Sequence, residues 1–205
     1  ITLVLGYDIR NSGKNAYDFL TGFDNLEPHT AFGHPAESVV PTDGVTGYDT
    51  SKTSTALLPA PNATGTPQKV LDTRTALVNA GKGNMTLYGG DFVGSIALSQ
   101  SGDLSQSQSE AQITVKFSVT QPTAVLAWGA HIAKCEDWPK DTGNVCSSAA
   151  GINGSPYHMR LESWSLNNLG NTDRSMAAAV VVSPGSLTLA KTLNGPRPSG
   201  YVRSE

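Results

Sequence analysis

Residues 110–120 read EAQITVKFSVT. Ala111, Ile113, Val115, Phe117 and Val119 fall on one side of an extended chain, and Gln112, Thr114, Lys116 and Ser118 on the other. A strand turns successive side chains to opposite faces, whereas a helix brings together residues three or four apart. This alternation specifies a strand with one face in a core and one in water. The polar run SQSGDLSQSQSE (99–110) just before it reads as a hairpin loop.

The same reading extends outward. MTLYGGDFVGSIALSQ (85–100) is strand-like, with Gly89-Gly90 as a kink or turn. KVLDTR (69–74) is also read as strand. After the break at Gln121-Pro122, TAVLAWGAHIA (123–133) is nearly continuous in apolar residues and is expected to be a central strand. YHMRLESWSL (157–166) alternates again, and MAAAVVVSP (176–184) reads as a last buried strand. SLTLAKTL (186–193) is a further strand or an arm. At the other end, ITLVLGYD (1–8) places Ile1, Leu3 and Leu5 on one apolar face. Ser12 is expected to cap one short helix carrying Ala16, Phe19, Leu20 and Phe23. Residues 27–65, rich in Pro, Thr and Gly, form an unusually long loop.

Composition agrees. Of 205 residues, 15% are charged, against roughly 25% in an average domain. Short strands and turns use such a mix; a helix bundle does not. No 20–50-residue repeat points to a solenoid or propeller. The expectation is an all-β fold: an antiparallel β-sandwich (jelly-roll or Ig-like) over residues 1–194, with one short helix and long loops, and a tail or linker at 195–205. The net charge is −3 and no Lys/Arg run occurs, which argues against nucleic acid as a partner. No apolar run reaches the roughly 20 residues of a membrane span. The chain starts at Ile1 inside a strand-like run and is expected to be a processed product or part of a longer precursor.

Cys135 and Cys146 lie close together in a polar, turn-rich segment, which favours a disulfide and an oxidising compartment. The loop between them offers Glu136, Asp137, Asp141 and Asn144, hard oxygen donors that are candidate Ca²⁺ ligands without the EF-hand pattern. Sequons stand at Asn62, Asn84 and Asn153. Trp128 and Trp164 are expected to anchor the core. Trp138 and Tyr157 are candidates for stacking on a sugar ring. His29 and His34 fall in the long loop, while His131 and His158 are placed on neighbouring strands that let them face each other. Backbone hydrogen bonding or stacking on tryptophan accounts for such imidazoles more simply than a metal. Asp8, Asp18 and Asp24 flank the expected helix; as paired carboxylates they would serve acid–base chemistry only across a cleft. No G-x-S-x-G, P-loop or dinucleotide fingerprint is present, and Ser155 in GINGSP reads as turn chemistry rather than a nucleophile.

AVLAWGAHIA (124–133) followed by GSPYHMRL (154–161) resembles a segment of large secreted or surface-anchored bacterial proteins, in which an A-W-G-x-H-I-A strand precedes a G-S-P-Y-H-x-R-L strand. GYDIRNSGKNAYDFLTGFDNL (6–26) is similar to its upstream companion. The Cys135–Cys146 insert is not part of that pattern. The resemblance brings no catalytic residues. It implies an extracellular or cell-surface location and a surface or matrix role. The expectation is therefore a non-enzymatic structural subunit or domain of a bacterial surface fibre, filament or adhesin. It would associate with itself or neighbouring subunits by strand addition through residues 1–8 or 186–193. The alternative is a carbohydrate-binding module, with or without Ca²⁺.

Overall fold

A computed structural model of the chain describes residues 1–23, 41–49, 51–61, 64–140, 143–144, 146–152, 157–167 and 172–176. The fold is all-β and sandwich-like, built from antiparallel pairs that form no closed barrel among the described residues. The long strand expected at 110–120 is β8, Ser109–Val119. Ala111, Ile113, Val115 and Phe117 are buried as the alternation requires, while Val119 projects beyond the core edge, 39% exposed. β8 pairs with β1 (Thr2–Asn11), and β1 pairs on its other side with β11 (Tyr157–Trp164). The large sheet runs β12 (Arg174–Met176), β11, β1, β8, β6 (Gly90–Phe92). β2 (Lys14–Asn15) adds to β1 and β7 (Ala97–Gln100) to β8.

Two small sheets complete the fold: β3 (Tyr17–Thr21) with β10 (Gly129–Ile132), and β4 (Thr53–Leu57), β5 (Asn84–Tyr88) and β9 (Val125–Ala127) in that order. A single apolar cluster joins Leu3, Leu5 and Tyr7 of β1 and Ile113 and Val115 of β8 to Met85 and Leu87 of β5 and Leu20 of β3. Ile113, Val115, Met85 and Leu87 are fully buried. Each such side chain contributes roughly 1.5–3 kcal/mol relative to exposure.

Four expectations are corrected. The helix expected after Ser12 is a hairpin. Ser12 and Gly13 have φ of 52° and 74°, the two positive values of a two-residue primed turn, and Asn11 pairs with Lys14 across it. Tyr17, Asp18, Phe19 and Leu20 are all buried, so β3 carries apolar residues on both faces and imitates helical spacing. The strand expected at 69–74 lies inside α1, Gln68–Asn79. That helix ends in a Schellman turn at Gly81 (φ 77°), with bonds from Gly81 N to Val78 O and from Lys82 N to Leu77 O. The expected central strand 123–133 breaks at Trp128 into β9 and β10, which join different sheets; the central strands are β1 and β8. Finally, β1 is paired on both sides within its own sheet, so residues 1–8 are an internal strand rather than a free donor. Residues 186–193, the buried strand expected at 176–184 beyond Met176, the tail 195–205 and residues 27–40, 50, 62 and 63 of loop 27–65 lie outside the described residues, while 53–57 of that expected loop form β4.

Candidate functional site

Two polar clusters stand out among the described residues. The first lies on the outer face of the large sheet, where even-numbered residues of β1 meet their neighbours. Arg160 of β11 donates from Nη1 to Asp8 Oδ1 of β1 at 2.8 Å and to Glu110 Oε2 of β8 at 2.6 Å. Asp8 Oδ2 accepts the backbone N–H of His158 at 3.0 Å, and His158 Nδ1 lies 2.8 Å from Asp173, just before β12. One guanidinium and its carboxylates thus tie together neighbouring strands of one sheet. Asp8, Asn11, Gln108, Glu110, His158 and Arg160 line an open groove of about 450 Å³ above them.

The second cluster lies between β3, β10 and the disulfide loop. The disulfide forms between Cys135 and Cys146, with Cα atoms 5.1 Å apart, as the sequence led us to expect. The loop it closes presents Trp138, whose Nε1–H donates to Asp18 Oδ1 at 2.7 Å. Asp18 Oδ2 lies 2.8 Å from His131 Nδ1. The His131 ring stacks on Phe19, with centroids 4.9 Å apart and planes at 7°. Its Nε2 is buried with no hydrogen-bond partner among the described residues. Burial pushes the Asp18 carboxyl above its usual range, the contacts from His131 and Trp138 pull it down, and nearby Asp137 raises it further. Asp137 is itself buried, and its one described ion-pair partner, Lys69 Nζ, lies 3.5 Å away and bonds the Glu136 carbonyl at 2.6 Å. The void beside Asp18, lined also by Tyr7, Tyr17 and Trp138, holds about 10 Å³, the size of one water rather than of a substrate.

The anticipated site residues are therefore redistributed. His131 and His158 do not face each other; they sit in different sheets, each with its own aspartate. Neither stacks on a tryptophan, because carboxylates and Phe19 occupy those roles. Of the candidate calcium ligands, Asp137 joins Asp18 and His131, whereas the Glu136 side chain is exposed and Asn144 is exposed with φ 60°. Asp141 lies outside the described residues, as do His29, His34, Asp24, Asn62, Asn153 and Ser155. Asn84 begins β5.

Neither proposed stacking residue is free for a sugar. Tyr157 is fully buried, bonds the Ala149 carbonyl at 3.1 Å and meets Tyr17 edge to face. Trp138 packs against the core. Trp128 and Trp164 are half-buried and also pack on the core, with Trp128 Nε1 at 2.8 Å from Met159 Sδ. Two pairings escaped sequence reasoning, Asp8 with Arg160 and Asp18 with His131; Asp8 and Asp18 were weighed there only as paired carboxylates. The signal for Asp18 was present, a lone carboxylate inside the apolar run AYDFL. No helix among the described residues is long and apolar enough to cross a membrane. No family model matches the chain, and neither a curated protein nor a solved structure does so.

Proposed function

We propose that the chain is a non-enzymatic structural domain of an extracellular bacterial surface fibre, filament or adhesin. The observation that carries this reading is the use made of its ionisable groups. Asp8, Glu110, His158, Arg160 and Asp173 bind one another across adjacent strands. Asp18 bonds His131 and an indole across two elements. Such ties hold strands in register and leave their carboxylates bonded to protein groups. The disulfide supports an oxidising location. With β1 internal, assembly by strand addition would have to use another segment, and 186–193 is the candidate that remains. Electron microscopy and light scattering of the full chain test self-assembly. Filaments or a stable oligomer support it; a chain that stays monomeric at high concentration sinks the self-assembling form.

The groove over Asp8 and Arg160 favours a second reading, a carbohydrate-binding module. Its lining is rich in hydrogen-bonding side chains suited to sugar hydroxyls. A blank glycan array would count against it.

A further inference from the structure

We propose that Asp18, His131 and Asp137 form a binding site for one divalent transition-metal ion of the zinc and manganese class. A donor atom from each of the three residues lies within 4.8 Å of the other two. Tetrahedral zinc with bonds of about 2.0–2.1 Å needs ligand atoms about 3.3 Å apart, so adjustments of the order of an ångström would close the set. The nearest pair, Asp18 Oδ2 and His131 Nδ1, is already at 2.8 Å. The ion would replace the hydrogen between them.

Three features set this group apart from an ordinary surface cluster of acids. The first is burial: the side chains of Asp18, Asp137 and His131 are 0%, 8% and 11% exposed. Two buried carboxylates face one imidazole, and the lysine near them is 59% exposed. Buried carboxylates are expected to be paired with a cation or to bind a metal. The second is the donor set. An imidazole with two carboxylates suits a first-row ion, whereas calcium takes six to eight oxygens. The third is orientation. Trp138 holds Oδ1 of Asp18, which turns Oδ2 toward His131, and Phe19 fixes the imidazole plane. Partners of that kind aim metal ligands in established sites. Asp137 sits in the loop stapled by Cys135 and Cys146. The three donors come from β3, β10 and that loop, so an ion would cross-link β3 to a segment more than 100 residues further along the chain. The site stands independently of any assembly by the chain.

The test uses the full chain, disulfide intact and freed of metal by a chelator. Cobalt(II) is titrated in while visible absorption is read, and zinc chloride is titrated by calorimetry. The expected result is one ion per chain, intense low-coordinate cobalt bands, and a change in tryptophan emission that disappears in Trp138→Phe. Asp137→Asn and His131→Gln should each weaken zinc binding by roughly tenfold or more. Native chain that binds neither cobalt nor zinc saturably overturns the proposal without recourse to any variant. So does zinc binding of unchanged affinity in folded Asp137→Asn and His131→Gln chains, or binding of calcium alone.

Discussion

Replacing Gly6 by alanine should destabilise the native chain and stabilise one that lacks the Glu110 side chain. Gly6 lies on β1 between Gln112 of β8 and Arg160 of β11. A β-carbon built there would stand 2.7 Å from Glu110 Cδ and Oε1 and 2.9 Å from Oε2. The Glu110 carboxylate thus crosses directly over Gly6 to reach Arg160. Alanine pushes it aside and breaks the 2.6 Å bond to Arg160 and the 2.8 Å bond from Gln112 Nε2. A hydrogen bond to a charged group contributes about 1.5–3 kcal/mol. Glu110 and Arg160 are 21% and 29% exposed, which lowers this to about 1–2 kcal/mol. Removing a strand glycine returns about 0.5–1 kcal/mol of chain entropy. The net effect in the native chain is a loss of up to about 1.5 kcal/mol. In Glu110→Ala the obstacle is gone, and Gly6→Ala should gain about 0.5–1 kcal/mol. Guanidinium unfolding of the four proteins, disulfide intact, measures the cycle. Effects of Gly6→Ala that agree within about 0.5 kcal/mol in the two backgrounds would refute the reasoning.

Other outcomes follow from the same structure. Trp138→Phe leaves Asp18 Oδ1 without its indole donor and should cost about 1–3 kcal/mol in denaturant unfolding. Reducing the Cys135–Cys146 disulfide releases a short loop and should lower stability by roughly 2.5–3 kcal/mol, read as a drop in Tm against the oxidised chain. Burial raises the phenols of Tyr7 and Tyr17 to about 12 from a usual 10.0. The stability they contribute is fully present below pH 10 and is lost as pH rises through 12. Spectroscopic base titration should therefore find their ionisation delayed and coupled to unfolding; ionisation near pH 10 in a still-folded chain would contradict it.

What the sequence made legible was the one-sided strand. β8 alternates cleanly, β11 does so as far as Leu161, where its register against β1 shifts, and the limits of both were anticipated to within a residue or two. β3 was misread because both of its faces are buried, which erases the period-two signal and leaves helical spacing by coincidence. The helix α1 was missed because Val70 is its one buried residue, so it has no apolar stripe to announce it. The short turn Ser12-Gly13 held the information that decided between helix and hairpin. The polar sites depended on topology. Asp8 and Arg160, or Asp18 and His131, meet through strand order, which periodicity does not specify.

That strand order sets when the chain can fold. β1 leads the sequence, yet its amino terminus bonds the Phe117 carbonyl 116 residues away, and Asp8 meets Arg160 across 152. Closing a loop of that size costs about 2 kcal/mol more than closing one of about ten residues. Topologies dominated by distant pairings fold slowly. Made before both of its partners, β1 must wait with Leu3, Leu5 and Tyr7 uncovered until those strands have been made. The centre of the large sheet therefore closes only once β11 has been made, and until then the chain exposes a strand able to pair with a stranger.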